Sequence, residues 1–194
     1  AIREGAPIIH EERPNNTLAS FGSESGNVEE DFKVAHKIYK DKFKTSMVHH
    51  CQMENHTAYS YVDGEGRVVI VSSTQIPHIC RRIIAQAFKL PFGKIRVIKP
   101  YLGGGFGSKQ DVVVEPLTVA MTLAVKGRPV RYTLTREECF IDTRTRHAMD
   151  ISFKSAVNKD GKLLALEIDN LVNNGAYASH GHSVTMSAGS KFRP

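Results

Sequence analysis

The order of two kinds of periodicity constrains the fold of this 194-residue chain more than any other feature of its sequence. Alternating apolar and polar residues flank two turn signals, Asp-Gly-Glu-Gly at 63–66 and Asn-Lys-Asp-Gly at 158–161, which predicts two β-hairpins. Between and before the hairpins, apolar residues recur at helical spacing. The mixture predicts an α+β fold with a mixed or mainly antiparallel sheet and packed helices.

The same patterns predict the individual elements. A helix begins after Asn27, a good N-cap residue that is followed by three acids in the first turn. The second helix begins at Pro77 and has a predicted buried stripe of Ile79, Ile83, Ile84, Ala87 and Phe88. We expect helices at residues 28–43, 77–89 and 111–125, and strands at residues 57–62, 67–73, 94–99, 130–134, 148–157 and 163–172. No element is predicted for residues 173–194.

Composition limits the classes of partner and compartment. Hydrophobic residues make up 41% of the chain and charged residues 24%, as in ordinary globular proteins. No apolar run approaches the roughly 20 residues of a membrane span. Cys51, Cys80 and Cys139 are too widely spaced for a disulfide framework or a metal cluster, which indicates a reducing cytoplasm. The net charge is +6, but the Lys and Arg residues are interspersed with Asp and Glu, and no cluster of aromatic and basic residues forms a groove. We therefore expect neither a nucleic-acid nor a membrane partner.

The strongest local signal is the segment 101–111, Tyr-Leu-Gly-Gly-Gly-Phe-Gly-Ser-Lys-Gln-Asp, between a predicted strand and a predicted helix. Glycines allow backbone N–H groups to approach a ligand, and a helix N-terminus favours an anion. The order Gly-Ser-Lys does not match a phosphate-binding P-loop, and the glycine spacing does not match a dinucleotide fingerprint. A tight turn without a ligand, and a stand-alone binding module for an anionic or phosphorylated ligand, therefore remain alternatives.

This glycine segment resembles the glycine–phenylalanine loop in the molybdenum-binding (molybdopterin) subunit of the xanthine dehydrogenase and aldehyde oxidase family. Other segments agree with that family in order and spacing, and the resemblance covers about residues 45–190. These segments are Ser-Ser-Thr-Gln at 72–75, Gly-Arg-Pro-Val-Arg at 127–131, Thr-Arg-Glu-Glu at 135–138, Arg-Thr-Arg-His at 144–147 and Asn-Gly-Ala-Tyr at 174–177. Residues 107–111 and 179–182 resemble most the bacterial multi-subunit xanthine dehydrogenases.

The resemblance implies an oxidoreductase of purine metabolism that hydroxylates a purine or another N-heterocycle with water-derived oxygen, an aldehyde being the weaker alternative. It implies a molybdenum–molybdopterin cofactor whose metal has no protein ligand. By the same resemblance, Gln75 donates a hydrogen bond to an oxo ligand of the metal. Gln110 is adjacent to the substrate, at a position where eukaryotic xanthine enzymes have a glutamate. The implied cofactor-binding residues are Gln75, Gly104, Gly105, Phe106 and Gly107.

The resemblance also implies that the chain is one part of a larger enzyme. Residues 1–27 are expected to be a linker or the remnant of a preceding domain. Residues 28–194 are expected to be the first part of the molybdopterin-binding domain, truncated at the C-terminus. The general base is expected downstream, so the chain has no predicted catalytic residue and should be inactive alone. The expected partners are the rest of the molybdenum subunit, iron–sulfur and FAD domains or subunits, and a small-molecule substrate.

Histidines allow two interpretations. His49-His50, His56 and the pair His180 and His182 have spacings that metal sites also use. No third ligand lies at a helpful spacing, so a structural role or a role in positioning other groups is favoured. Arg144, Arg146 and His147 likewise allow contacts with the cofactor phosphate or a partner subunit, but ordinary loop contacts are favoured.

Overall fold

The computed structural model describes residues 2–178 and 180–190, without the side chains of residues 188–190. Within these ranges the chain forms two compact units, one of Ala1–Val48 with His147–Pro194 and one of His49–Arg146. In chain order the elements are α1 (Val28–Lys33), β1 (Lys37–Thr45), β2 (Val48–His49), β3 (Thr57–Val62), β4 (Val68–Ser72), α2 (Pro77–Phe88), a 3-10 helix (Phe92–Lys94), β5 (Ile95–Ile98), α3 (Glu115–Ala124), β6 (Val130–Thr133), α4 (Arg136–Asp142), β7 (Thr145–Arg146), β8 (Ala148–Val157), β9 (Leu163–Asn173) and α5 (Gly181–Ser190).

The unit His49–Arg146 is built on a four-stranded mixed sheet in the order β5-β4-β3-β6. The predicted hairpin of β3 and β4 is confirmed, and β6 adds antiparallel to the other edge of β3. β5 pairs parallel to β4, and α2 makes the crossover between these two strands. Together with the helices, this sheet confirms the predicted α+β class.

Apolar side chains from the sheet and from two helices form the core of this unit. α2 contacts β5, and α3 contacts β3, β4 and β6. Two clusters of buried residues result, one of Val68, Ile70, Cys80, Ile84, Ala85, Ile95 and Val119, and a smaller one of Ala58, Val114, Leu134 and Cys139. Cys139 packs in the smaller cluster as a small apolar residue, and none of its surface is accessible.

The predicted buried stripe of α2 was only partly right. Ile84 is fully buried, but Ile79 is 38% exposed and Ala87 is also exposed. The face that meets the core is centred on Cys80 and Ile84, one helical turn apart, so the helix is rotated by about one residue relative to the prediction.

The predicted helix at residues 28–43 was wrong after its first turns. Asn27 does cap it, because its side chain accepts a hydrogen bond from the Glu30 amide, but α1 ends at Lys33. The next element is β1, whose nine residues all pair with β8, from Lys37 opposite Val157 onwards. Pairing with a distant strand overrode the helical spacing of the apolar residues.

Three further differences concern helix ends and missed helices. α3 begins at Glu115 instead of residue 111, so Pro116 falls in the first turn, where proline fits. α4 was not predicted, although Thr135 and Glu138 form a capping box at its start. α5 occupies residues for which no element was predicted.

The other unit contains a three-stranded antiparallel sheet in the order β1-β8-β9. The second predicted hairpin, of β8 and β9, is confirmed over almost their whole length. Ala156 and Ala165 face each other across this hairpin and are buried, whereas every residue of β1 is exposed. α1 and α5 both contact β9. None of the helices in the described ranges is long and apolar enough to cross a membrane.

Candidate functional site

The Gln75 side chain is bonded to the backbone of the glycine loop, which we define as residues 103–109. Gln75 lies between β4 and α2, and its Oε1 atom accepts hydrogen bonds from the backbone N–H groups of Gly107 (3.1 Å) and Lys109 (3.2 Å). Its own backbone N–H donates to the Lys109 carbonyl at 2.9 Å. The amide nitrogen Nε2 has no acceptor among the described residues. Gln75 is thus held by its carbonyl end and keeps a free donor.

Close approach of Gln75 explains why residue 105 is a glycine. A Cβ atom on Gly105 would lie 2.5 Å from Oε1 and 2.7 Å from Cδ of Gln75. Gly104 and Gly107 both have a φ of +95°, a conformation that glycine adopts without strain. Phe106, at +52°, adopts the left-handed conformation despite its side chain. Close packing against Gln75 therefore requires glycine at residue 105, and the backbone conformation favours glycine at residues 104 and 107.

Three consecutive backbone N–H groups of the loop are unpaired in the part of the chain that the structure describes. The backbone N–H groups of Gly104, Gly105 and Phe106 have no hydrogen-bond partner among residues 2–178 and 180–190. Unpaired N–H groups in successive positions form a concavity that attracts negatively polarised atoms. The free Nε2 atom of Gln75 adds a fourth donor on a side chain that contacts the same loop.

One carboxylate fixes both ends of the glycine loop. Glu54 Oε2 accepts hydrogen bonds from the Gly103 N–H (3.0 Å) and from Lys109 Nζ (2.6 Å), while the Glu54 N–H donates to the Gly103 carbonyl at 3.1 Å. Lys109 is only 1% exposed, whereas the Glu54 side chain is 31% exposed. The lysine therefore serves to hold the loop, and its charge is neutralised inside the protein.

A buried histidine, His56, contacts the C-terminal half of the glycine loop at Ser108. His56 Nε2 lies 3.3 Å from the Ser108 carbonyl, and His56 Nδ1 lies 3.3 Å from the Gln52 amide nitrogen. Burial, the largest cause, lowers the pKa of His56 to about 4. The ring is therefore neutral at physiological pH, with Nε2–H donating to the carbonyl and Nδ1 accepting. This is the structural role favoured for histidine by the sequence.

A second buried carboxylate holds the segment that leads into Gln75. Ser72, the last residue of β4, donates from its hydroxyl to Glu115 at 2.5 Å, and the Val113 N–H donates to the same carboxylate at 2.9 Å. Glu115 begins α3 and is 4% exposed. It thereby ties the end of β4 to the segment that follows the glycine loop.

Gly107 faces a histidine and a glutamine at the rim of the loop. A Cβ atom on Gly107 would lie 3.6 Å from His50 Nε2 and 3.9 Å from Gln110 Oε1. His50 Nδ1 lies 3.2 Å from the Arg144 carbonyl. The predicted substrate-adjacent residue Gln110 is thus close to the predicted cofactor-binding residue Gly107. His50 lies beside the same glycine.

Other segments that the sequence singled out lie elsewhere. The Asn-Gly-Ala-Tyr turn at 174–177 follows β9 in the other unit, where Tyr177 is 92% exposed. Ser179, part of the segment that resembles bacterial enzymes, lies outside the described residues. Within the described ranges, no group of three or more His, Cys, Asp or Glu side chains could hold a metal ion.

A comparison with protein families identifies the chain. A family model described as a molybdopterin cofactor-binding domain matches residues 9–194. The chain belongs to this family. It is 44% identical over 191 residues to the xanthine dehydrogenase molybdenum-binding subunit of Escherichia coli O157:H7, an alignment that covers 98% of this chain and 25% of the subunit.

More distant relatives agree. The nicotinate dehydrogenase large molybdopterin subunit of Eubacterium barkeri is 34% identical over 184 residues, covering 95% of this chain and 43% of that subunit. The aldehyde oxidoreductase of Desulfovibrio gigas has a similar structure, with a TM-score of 0.85 and 27% identity over 96% of this chain and 20% of the other. The chain therefore spans less than half the length of these relatives, and the predicted family and molybdopterin cofactor are confirmed.

Sequence reasoning missed Glu54 and the particular role of His50. A buried lysine requires a nearby acid, and Lys109 is buried, but its burial is not visible in the sequence and Glu54 lies 55 positions away. The string His-His-Cys-Gln-Met-Glu-Asn-His at 49–56 is rich in polar side chains, and four of them contact the loop or its support. A dense polar string before a predicted strand was the available signal.

Proposed function

We propose that the chain forms one wall of the molybdopterin site in a xanthine dehydrogenase-like molybdenum hydroxylase, which hydroxylates a purine or another N-heterocycle with water-derived oxygen. The observation that carries this proposal is the orientation of Gln75. Its Oε1 atom is occupied by the two loop N–H groups, so Nε2 is left as an uncharged donor beside the loop. A neutral donor suits an oxo ligand because it stabilises the oxygen without adding charge.

The residues present fit the cofactor. Gly104, Gly105 and Phe106 offer free backbone N–H groups, and Gly107 leaves open the space that a side chain would fill. In the proposed site these residues and Gln75 contact the cofactor, and Gln110 is adjacent to the substrate. No side chain of the chain is proposed to ligate the metal. When bound, the molybdenum group supplies the oxygen transfer and the two-electron oxidation.

The chain's own contribution is to position these groups. Glu54 and Lys109 hold the two ends of the loop, and Gln75 and His56 hold its C-terminal half, so the donors do not need to reorganise when a ligand binds. Donors that are fixed in advance stabilise developing charge more effectively than mobile ones. The Phe106 side chain is 75% exposed, and we propose that it helps to exclude water from the site when the cofactor is bound.

The remaining components belong to the full-length protein. We place the general base in another part of the molybdenum subunit and expect this chain to be inactive alone. Iron–sulfur clusters and FAD would be bound by other domains or subunits that receive the electrons. The three free cysteines support a reducing, cytoplasmic location, and no nucleic-acid or membrane partner is proposed.

The alternative of a stand-alone anion-binding module is less well supported. That function would use Lys109 as the cation of the loop. Lys109 is instead buried and paired with Glu54, so it offers no charge to an external anion. Binding of a free anion here would rest on backbone N–H groups without the charge-assisted hydrogen bonds that a lysine supplies.

The test is the molybdenum and pterin content of the full-length protein, purified as wild type, as Gln75→Ala and as Gln86→Ala. Gln86 is an exposed glutamine of α2 and serves as the matched control. Each protein is assayed with hypoxanthine, xanthine and an aldehyde. We expect near-stoichiometric molybdenum in the wild type and the control, with purine turnover reduced roughly 100-fold in Gln75→Ala.

The outcomes separate the parts of the proposal. Wild-type protein without molybdenum or pterin, from a host that supplies both, would disprove it. Full turnover by Gln75→Ala would disprove the role of Gln75. Turnover of the aldehyde alone would assign a different substrate class to the same site.

A further inference from the structure

His50 is a residue of the loop rim to which the proposed function assigns no role. It lies in the unit His49–Arg146, directly after β2, and it is partly buried. Its Nδ1 atom is 3.2 Å from the Arg144 carbonyl, a group that only accepts hydrogen bonds. Nδ1 must therefore carry the proton, and in the neutral ring Nε2 is left with a lone pair.

The Nε2 atom of His50 lies beside the space that a side chain of residue 107 would fill. His50 Nε2 has no partner among the described residues, and it would lie 3.6 Å from a Cβ atom on Gly107. Because residue 107 is a glycine, that space is open. The histidine thus presents an acceptor to the same rim at which the loop presents donors.

Gln110 faces the same space. Its Oε1 atom would lie 3.9 Å from that Cβ position, and no described residue bonds to its side-chain amide. The amide is free to rotate and can offer either its oxygen or its NH₂ group. His50 and Gln110 therefore place an acceptor and an adjustable amide within 4 Å of one Cβ position on Gly107.

Building on the proposed function, we propose that His50 and Gln110 recognise the lactam edge of the substrate, a ring N–H next to a ring C=O. His50 Nε2 accepts the hydrogen bond of the N–H, and the Gln110 amide donates to the C=O. The inference narrows the substrate from any N-heterocycle to one that carries a lactam. His50 is then a residue that determines specificity, and it takes no part in bond breaking.

Electrostatics supports the neutral ring that this role needs. Burial is the largest cause that lowers the pKa of His50 below its ordinary value, and it outweighs the opposing effect of the hydrogen bond to Arg144. The charges of Arg144 and Arg146, and His49, lower the pKa further. The acceptor form is therefore favoured at neutral pH.

The test compares two substrates that differ only at the lactam nitrogen, hypoxanthine and 1-methylhypoxanthine, in the full-length, cofactor-loaded enzyme. His50→Asn keeps a donor near the position of Nδ1 but removes the acceptor at Nε2. His50→Gln places an amide oxygen near the position of Nε2. His78→Asn, an exposed histidine of α2, is the control.

We expect His50→Asn to lower kcat/KM for hypoxanthine roughly 10- to 100-fold. The value for 1-methylhypoxanthine should change less than about 2-fold, because a site built for an N–H loses its selectivity when the acceptor is removed. His50→Gln should recover most of the loss. An equal loss on both substrates, or no loss on either, would overturn the inference.

The molybdenum content of the same preparations distinguishes this inference from the proposed function. If the enzyme is loaded and Gln75 behaves as proposed, an unchanged substrate ratio in His50→Asn refutes the role of His50 alone. If the loaded enzyme turns over an aldehyde and neither purine, the lactam assignment is wrong while the cofactor site stands. If no molybdenum is bound, the proposed function fails and the inference fails with it.

Discussion

The inner and outer sides of the glycine loop are built in opposite ways. On the inner side, Ser108 and Lys109 are buried, and their polar groups are bonded to His56, Gln75 and Glu54. On the outer side, Phe106 is 75% exposed, and Tyr101, which precedes the loop, is fully exposed.

The difference indicates that the inner side of the loop stabilises the fold and that the outer side is available for recognition. Buried polar groups that are all bonded define a single conformation, and they are costly to disturb. Exposed side chains and free donors contribute little to folding and are available to ligands. Substitutions on the inner side should therefore affect the free energy of unfolding first, and substitutions on the outer side should affect binding and turnover alone.

Glu54→Gln is expected to have the largest effect on stability. It removes the charge that neutralises Lys109, and loss of one partner of a buried ion pair costs about 3–5 kcal/mol. Lys109→Met should cost less, because the Glu54 carboxylate that it leaves behind is partly exposed to water. Urea unfolding of the full-length protein, followed by hydrogen exchange in peptides of residues 49–146, measures both. Equal costs would show that exposure of Glu54 does not matter.

The pH dependence of stability should reveal His56. Its pKa is lowered from 6.5 to about 4 by folding, so the unfolded chain binds the proton more readily between these values. The stabilisation is complete above about pH 6.5 and is lost as the pH falls towards 4, a change of about 3 kcal/mol. His56→Gln should flatten this part of the profile in the same hydrogen-exchange experiment. An unchanged slope would place the titrating group elsewhere.

These contrasts also explain which features the sequence could predict. Both hairpins and the Asn27 cap depend on neighbouring residues, and they were predicted correctly. β1 was missed because it pairs with β8, more than a hundred positions further along the chain. Thr135 and Glu138 formed a local signal for α4 that was available and not used.

The candidate site follows the same rule. Gln75 and the glycine loop stand out as motifs in the sequence. Their contact through Oε1 depends on how β4 and the segment after β5 meet in the fold, as does the bond between Glu54 and Lys109. The sequence therefore identified the two motifs, but it did not identify Glu54 as a residue that holds the loop in place.

Gly105→Ala tests the contact between the two sides of the loop. The new Cβ atom would displace the Gln75 amide and break its bonds to the Gly107 and Lys109 N–H groups. Because the amide is the flexible end of a long side chain, we expect the free energy of unfolding to fall by only about 1–2 kcal/mol. The molybdenum and pterin content should nevertheless fall to a small fraction of the wild-type content. Gly93→Ala, in open space in the same unit, is the control. Retention of cofactor despite lower stability would mean that Gln75 is not needed to hold it.

Phe106→Gly should have the smallest effect on stability and is the sharpest test of the outer side. Relief of the left-handed conformation at Phe106 is worth about 1–2 kcal/mol, and the greater freedom of glycine in the unfolded chain costs about 0.5–1 kcal/mol. The exposed ring adds little packing energy apart from its contact with Gly104, so the free energy of unfolding should change by less than about 1 kcal/mol. If Phe106 serves only the ligand, kcat/KM of the loaded enzyme should still fall several-fold. A large loss of stability would instead show that the ring packs against another part of the full-length protein, and the outer side would then be an internal surface of that protein.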